Sequence, residues 1–287
     1  MENAKKKNIL ALPFDSLAYP QEWKILSDAP KTVYAVGDIS LLQARKLTVV
    51  GSRTTPVYAL KLGERIAKEL SSSVAIVTGT ADGGDIAAIE GALSGGGKMI
   101  CVLAGGFSAI PQANIELLRE VARKGLVLSP HEYETPVRNF SYEYRNKLLA
   151  ALGEGTLVLG AGAKSGALIT AKYAENFQKP VFAFPYAPGA AAGEGCNALI
   201  KQGARLVENA EDIAERLGID IRKEKPATAL SADETKTLQA LRELSDGHIT
   251  QLAEKTGIPS FKLRAVLSAL EVKGLAVSLG GNCYAPL

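Results

Sequence analysis

The segment Leu47-Thr48-Val49-Val50-Gly51-Ser52-Arg53 is a continuous apolar run that ends in a Gly-Ser-Arg turn. A second turn, Thr78-Gly79-Thr80-Ala81-Asp82-Gly83-Gly84-Asp85, follows the apolar run 74–77, and both turns lead into helical patterns. Glycines between a strand and a helix let backbone NH groups approach an anion, and the helix N-terminus adds a favourable dipole. Arg53 adds a guanidinium that can hold a phosphate through two hydrogen bonds. Each turn alone is also typical of a plain tight connection, but together they predict an anion site.

Strand and helix patterns alternate around these turns. The apolar runs are continuous, as expected for strands of a parallel sheet that helices cover on both faces. They lie at 47–50, 74–78, 99–103, 126–129, 156–159, 181–184 and 206–207. This alternation predicts a Rossmann-like, doubly wound α/β domain with a mostly parallel sheet over residues 46–221. Ligands of such sheets bind beyond the carboxyl ends of the strands, where both turns lie.

The flanking segments differ in character from this domain. Residues 1–45 are punctuated by prolines, and we expect a largely irregular lead-in segment packed on the edge of the sheet. Residues 222–229 are charged and lack a hydrophobic period, which is typical of a linker. Residues 230–287 contain three helical patterns and a hairpin, an order that predicts a small winged-helix domain. Its Lys262, Arg264 and Lys273 fit contact with nucleic acid or a solvated face, and a protein-binding role is at least as well supported.

Composition limits the classes of function. The 287 residues are 47% hydrophobic and carry a net charge of +3, so nucleic-acid binding would have to come from a local patch. The cysteines, Cys101, Cys196 and Cys283, are far apart, which favours a reduced, cytoplasmic setting. Two histidines leave little material for a zinc site or a His-based triad, and no apolar run reaches the length that a bilayer requires. We expect no metal, no cofactor and no membrane.

An ordered series of segments resembles the DNA-processing protein A family, abbreviated DprA and also called Smf. Each segment alone is a weak signal, whereas six in the right order across nearly the whole chain are specific. In chain order they are Gly51-Ser52-Arg53, Thr78-Gly79 with 84–88 and 91–93, Arg145-Asn146-Lys147, 164–171, 181–185 and 195–204.

The resemblance implies a role without catalysis and therefore no catalytic residues. Members of the family bind single-stranded DNA in a groove at the strand ends, form homodimers, protect incoming DNA and load the RecA recombinase in natural transformation or recombination. Carried over to this chain, the phosphate contacts are Arg53, Arg145, Lys147 and Lys164, and the pocket includes Gly51, Ser52, Gly79, Asn146, Ser165 and Gly166. For Arg145 an ion pair within the helix region stays open as an alternative, and for Lys164 a cation at a loop tip.

The chain also departs from the family pattern. Ile89-Glu90 replaces a His-basic pair, Asp82 adds an acid, Ser129-Pro130 stands for Ser-Glu and Tyr142-Glu143 stands for Phe-Pro. We expect the two added carboxylates, Asp82 and Glu90, to repel phosphate and to weaken DNA binding.

Other functions of the same fold stay open. Asp82, Asp85 and Glu90 fit a small-nucleotide sensor, with the winged helix as its output, slightly better than they fit binding of a long strand. A phosphoribohydrolase-like enzyme is less favoured, because the loop 160–166 and Thr170-Ala171 lack the catalytic glutamate of that group. A dehydrogenase is least favoured, since G-x-G-x-x-G is absent after the first strand.

Overall fold

The computed structural model describes residues 9–221 and 230–287. The predicted linker, residues 222–229, lies outside these ranges. The first range contains a nine-stranded sheet, and the second contains a three-stranded one. The strands of the large sheet are β1 (Leu10–Pro13), β2 (Thr32–Gly37), β3 (Lys46–Val50), β4 (Ala75–Thr78), β5 (Met99–Val102), β6 (Leu126–Ser129), β7 (Thr156–Val158), β8 (Val181–Ala183) and β9 (Arg205–Leu206).

The spatial order of the large sheet is β1-β2-β6-β5-β4-β3-β7-β8-β9. The pairs from β6 to β9 are parallel, whereas β1 and β2 run antiparallel at the edge next to β6. From β3 the chain proceeds outward to β6 on one side and then returns to β7 on the other side. This reversal makes the gap between β3 and β7 the topological switch point, where open α/β sheets bind their ligands.

Helices cover both faces of this sheet. They are α1 (Val57–Leu70), α2 (Gly84–Ser94), α3 (Ile115–Lys124), α4 (Asn139–Leu152), α5 (Gly166–Asn176), α6 (Glu194–Lys201) and α7 (Ala210–Leu217). α1 packs on α2, and α4 packs on α5. Both α2 and α4 contact β3, whose five residues are all buried. The doubly wound, mostly parallel arrangement that the continuous apolar runs predicted is confirmed.

The residues before β3 differ from the irregular segment that we expected. β1 and β2 extend the sheet beyond β6, so this part of the chain is regular and belongs to the sheet. A 3-10 helix, Gln21–Ile25, lies between them and buries Trp23 completely. The Trp23 indole NH donates to the carbonyl of Leu148 in α4 at 2.9 Å. The segment therefore contributes to the main core as well as covering the edge of the sheet.

The described residues after 229 have the elements of a winged helix. They are α8 (Ala232–Leu244), β10 (Gly247–His248), α9 (Ile249–Thr256), α10 (Ser260–Val272), β11 (Ala276–Gly280) and β12 (Cys283–Pro286). Ser231 caps α8, and the Ser231 hydroxyl accepts from the NH of Glu234 at 3.2 Å. The strand β10 was not predicted, because two residues leave no periodic pattern. These elements enclose a hydrophobic core of their own.

The described ranges contain neither a membrane-spanning helix nor a cluster of metal-ligating side chains. None of their helices is both long enough and apolar enough to cross a bilayer. The same residues contain no group of three or more His, Cys, Asp or Glu side chains arranged to hold a metal ion.

Candidate nucleic-acid interface

A cleft of about 470 Å³ opens at the switch point, beyond the carboxyl ends of β3 and β7. Its lining comes from the turn after β3, the turn after β4, the helix α4 and the loop from β7 into α5. Most of the predicted site residues line it, namely Gly51, Ser52, Arg53, Arg145, Asn146, Lys164, Ser165 and Gly166. Gly79 and Lys147 do not line it. Residues from four separate segments thus meet at the edge where the fold predicts a ligand.

The two glycine-rich turns touch through their backbones, as the sequence suggested. A Cβ added to Gly51 would lie 2.8 Å from the Cα of Gly84, so a side chain at position 51 would push the turns apart. Gly83, just before α2, has a φ of +85°, which glycine adopts without strain. The contact fixes the turn that carries Arg53 against the start of α2.

Arg53 and Lys164 provide the free positive charge of the cleft. Both residues are exposed, and neither forms an ion pair with any residue in the described ranges. Arg53 follows β3 and Lys164 follows β7, so the two cations come from opposite sides of the switch point. Because no carboxylate of the described chain neutralises them, both are available to an anion from outside.

The amino end of α5 faces the same cleft. The hydroxyl of its N-cap, Ser165, accepts from the NH of Ala167 at 3.2 Å. The Asn146 amide donates to the carbonyl of Gly166 at 3.1 Å and ties this loop to α4. The Oγ1 of Thr170, which is completely buried and lines the cleft, has no hydrogen-bond partner among the described residues. A helix N-terminus held in this way favours a negative charge in front of it.

Arg145 is paired internally at the bottom of the cleft. Its Nη1 lies 3.5 Å from Asp85 Oδ2, and the two side chains are only 6% and 5% exposed. Gly79 makes room for this pair, because a Cβ there would overlap the guanidinium. Burial raises the pKa of the Asp85 carboxyl, while Arg145 and the backbone NH groups of Ala81 and Gly51 act in the opposite direction. The sequence left an ion pair within the helix region open for Arg145, whereas the structure pairs it with Asp85 at the start of α2, and the phosphate contact of Arg145 stays a prediction.

Lys147 is turned towards the segment before β3. Its Nζ lies 2.6 Å from Asp28 Oδ1, and its side chain is 19% exposed. The hydroxyl of Tyr144 donates to the Asp28 carbonyl at 2.7 Å, which holds that residue against α4. Nothing local in the sequence signals the Lys147–Asp28 pair, because the two residues are 119 positions apart. The predicted phosphate contact of Lys147 would require this ion pair to open.

Sequence reasoning missed Tyr142, which lines the cleft and is 44% exposed. In the sequence Tyr142-Glu143 stands out only as a departure from the family pattern. An exposed aromatic ring beside phosphate-binding groups is the usual platform on which a base of single-stranded nucleic acid stacks. The signal was present in the sequence as an aromatic residue one turn before Asn146.

The acids expected to repel phosphate lie outside the lining of the cleft. Asp82 and Glu90 are both exposed and are not among its lining residues. Glu90 lies near Lys61 of α1, where it adds to the effect of Glu64 in raising the pKa of that lysine. Asp85, which does line the cleft, is held by Arg145. The expected repulsion by Glu90 therefore has little basis in this geometry.

Two family models match this chain. Residues 11–218 match the family model described as DNA recombination-mediator protein A, and residues 222–282 match the one described as DprA winged helix domain. DNA processing protein DprA of Bacillus subtilis (strain 168) is 34% identical over 216 residues, which are 74% of this chain and 73% of that protein.

Two solved structures are similar. One is the X-ray structure of DNA processing protein A from Streptococcus pneumoniae, with a TM-score of 0.70, 31% identity and 77% of each chain covered. The other, of DNA processing protein A from Helicobacter pylori, concerns the single-stranded DNA binding mode of that protein. It has a TM-score of 0.66 and 31% identity, and the match covers 73% of this chain and 95% of that one. Since the family model spans most of the sequence, this chain belongs to the DNA recombination-mediator protein A family, the DprA/Smf family that its motifs resemble.

Proposed function

We propose that this protein binds single-stranded DNA in the cleft at the switch point. The observation that carries the proposal is a pair of exposed, unpaired cations, Arg53 and Lys164, beside the amino end of α5. The Helicobacter pylori relative, whose binding mode for single-stranded DNA has been described, supports the same ligand class for this chain.

The groups of the cleft suit a phosphodiester backbone. Arg53 and Lys164 bind phosphate oxygens, and first-turn NH groups of α5 donate to the same charge. The other lining residues are mostly small, and they include Ser52, Gly162 and Ala163. Since cations and backbone NH groups that bind phosphate carry no information on the bases, binding is expected to depend little on sequence.

Fluorescence anisotropy of a labelled oligo-dT, at low and high salt, tests the proposal. We expect Arg53→Ala/Lys164→Ala to weaken binding at low salt by roughly tenfold or more, since two phosphate contacts are lost. The matched control is Lys68→Ala/Arg123→Ala, which removes two exposed cations from the last turns of α1 and α3, at the opposite end of the sheet. Equal affinity of the cleft variant and the control would overturn the proposal.

Tyr142 provides an independent test of the strand's path. If its ring stacks on a base, Tyr142→Ala loses about 1–3 kcal/mol of binding free energy, whereas Tyr142→Phe keeps most of it. The contribution should change little with salt concentration, because stacking does not depend on the release of counterions. Loss of affinity in both variants would point to the hydroxyl group and contradict stacking.

The resemblance supports a finer proposal for the whole protein. In this proposal it acts without catalysis in the cytoplasm, as a homodimer that protects incoming single strands and loads a RecA-type recombinase during transformation or recombination. The test is recombinase assembly on oligo-dT coated with single-strand-binding protein. The protein should accelerate assembly, and Arg53→Ala/Lys164→Ala should not. Acceleration by both proteins would separate the loading activity from the cleft.

A second candidate, binding of a free nucleotide, is favoured by the size of the cleft. A volume of about 470 Å³ lies within the range of small-molecule sites. Competition decides between the two ligands. If dTMP displaces the labelled oligonucleotide as effectively as unlabelled oligo-dT at equal nucleotide concentration, the site recognises one nucleotide. A phosphoribohydrolase activity has less support, because Asp85, the carboxylate found in this lining, is held by Arg145.

A further inference from the structure

The side of α10 that faces away from the core of the small domain exposes large apolar side chains. Phe261 and Val272 of α10 are 80% and 89% exposed. Ala265 and Ser268 are exposed between them, and we call the four residues the α10 stripe. At 100° per residue they fall within an arc of about 60°, on the side of the helix opposite the buried Leu263, Val266, Leu267 and Leu270. A merely solvated face would carry polar residues in place of Phe261 and Val272.

The lysines beside this stripe are largely committed to neighbouring acids. Lys262 Nζ lies 2.6 Å from Asp233 Oδ2, and Lys273 Nζ lies 2.6 Å from Glu234 Oε1. Elsewhere in the domain Lys255 is paired with Glu243 at 2.8 Å. A helix that binds a phosphate backbone would be expected to present several free cations, whereas Arg264 is the single cation of α10 outside an ion pair among the described residues. The sequence left DNA contact and protein contact open for this helix, and the pairing favours protein.

One flank of the stripe carries two opposite charges. Arg264 and Glu271 lie on the same side of α10, two helical turns apart, and Arg264 has no ion-pair partner among the described residues. Glu271 accepts from the NH of Ser278 through Oε1 at 2.9 Å, which leaves its second carboxylate oxygen available. A twofold axis across the middle of the stripe would place each Arg264 beside the Glu271 of a second α10.

We propose that the α10 stripe is a contact between two copies of this chain, with their α10 helices packed antiparallel. Phe261 of each copy packs on Val272 of the other, Ala265 packs on Ser268, and two Arg264–Glu271 ion pairs close one side. The spacing of the stripe, four, three and four residues, is that of a coiled-coil seam. Ala265 and Ser268 are small enough to let the helices approach at the twofold axis.

The contact is expected to be weak. A helix of 13 residues is about 20 Å long and cannot bury a standard interface by itself. We expect a dissociation constant on the order of tens of micromolar, which becomes significant where copies of the protein are concentrated together. This contact lies outside the cleft and does not depend on DNA binding.

Sedimentation velocity of the full chain, from about 1 to 200 µM, tests the proposal. We expect a concentration-dependent association step that Phe261→Ser/Val272→Ser removes. If the large domain already forms a dimer, the step leads from that dimer to a larger species and is lost in the same variant. Leu17→Ser, which removes a side chain that is 92% exposed far along the sequence from α10, is the control and should keep the step. Persistence of the step in the stripe variant would overturn the proposal.

Charge reversal tests the antiparallel arrangement itself. Arg264→Glu and Glu271→Arg should each weaken the association at least roughly tenfold, because like charges then face each other. An equimolar mixture of the two variants restores opposite charges across the contact, so the step should return. If the equimolar mixture associates no more strongly than each variant alone, the antiparallel Arg264–Glu271 pairing is excluded. Duplex DNA binding that Phe261→Ser/Val272→Ser abolishes, without any self-association of the wild type, would assign the stripe to nucleic acid instead.

Discussion

Arg145 and Asp85 show how one buried pair shapes the cleft at the scale of single residues. Removing either partner leaves an uncompensated buried charge, which typically costs about 3–5 kcal/mol. We expect Asp85→Ala to lose roughly this much unfolding free energy in urea. Asp85→Ala/Arg145→Leu removes both charges and should be clearly more stable than Asp85→Ala alone. Equal stability of the two variants would mean that the ion pair contributes nothing.

The ion pair with Asp28 keeps Lys147 from contacting a DNA phosphate at the cleft. Asp28→Asn removes the carboxylate but keeps the backbone carbonyl to which Tyr144 donates. We expect oligo-dT to bind about two- to fivefold more tightly at low salt, since a half-exposed ion pair is worth less than about 1 kcal/mol. Anisotropy titration measures the change. In a Lys147→Ala background the same substitution should have no effect, and any remaining gain would argue against competition for Lys147.

His131 makes stability depend on pH. Burial lowers the pKa of its imidazole, and Nε2 has no hydrogen-bond partner in the described structure. The folded protein therefore binds a proton less readily than the unfolded chain. The stability that the neutral ring contributes is present above the unfolded pKa of about 6.5 and is lost as the pH falls through the lowered value.

We accordingly expect the unfolding free energy of the wild type to fall more steeply between pH 7 and pH 5 than that of His131→Gln. The difference amounts to about 1.4 kcal/mol for each tenfold reduction in proton affinity on folding. Urea unfolding at several pH values measures it, and His248→Gln, at the other histidine of the chain, serves as the control. Parallel profiles of wild type and His131→Gln would contradict the prediction.

The sequence predicted most of the residues that line the cleft, but it did not predict which of the cations are held in ion pairs. The motifs correctly predicted that one cleft contains Arg53, Lys164, Ser165 and Gly166. Such motifs show which residues follow the end of a strand, and the strand ends meet at one edge of the sheet. The motifs did not indicate that Lys147 pairs with Asp28, since that contact depends on how the segment before β3 packs. Tyr142 was missed for the related reason that exposure of a ring is a property of the folded surface.

At the scale of elements, the segment before β3 is tied to the sheet by a buried ion pair. Lys46 Nζ lies 2.7 Å from Glu22 Oε1, and Lys46 is only 4% exposed. We expect Glu22→Ala to cost about 3 kcal/mol of unfolding free energy, because the buried ammonium loses its counter-charge and keeps the carbonyls of Leu42 and Ala44 as acceptors. The comparison is Glu154→Ala, whose carboxylate pairs with Arg45 while both side chains are about 40% exposed, and which should cost less than about 1 kcal/mol. Similar losses in urea unfolding would show that burial does not distinguish the pairs.

The elements that sequence reasoning found are those whose pattern repeats over several turns or residues. Central strands such as β3 are continuous apolar runs because both of their faces are buried. β1 was missed because it lies at the edge of the sheet and ends in Pro13, and because only Leu12 of its residues is buried. Its pairing with β2 is specified by tertiary contacts, including the burial of Trp23 under α4. Edge strands of this kind leave little local signal.

At the scale of the whole molecule, a net charge of +3 means that no overall positive field draws DNA to the protein. Binding must then depend on a few cations placed at one edge of the sheet. Arg145 and Lys147 are already paired, so Arg53 and Lys164 account for most of the counterions that DNA would release. The number of released counterions is therefore small and can be measured.

The salt dependence of oligo-dT binding should report this number. Each phosphate contact on single-stranded DNA contributes about 0.7 to the slope of log K against log salt, so two to three contacts give a slope of roughly −1.4 to −2.1. Arg53→Ala should reduce the magnitude of the slope by about 0.7, while Arg264→Ala in α10 should leave it unchanged, because that helix lies outside the cleft. A slope steeper than about −4 would mean that cations beyond the cleft contact the strand. In that case a decrease in Arg264→Ala would locate them on the small domain, and its absence would locate them on the large sheet domain.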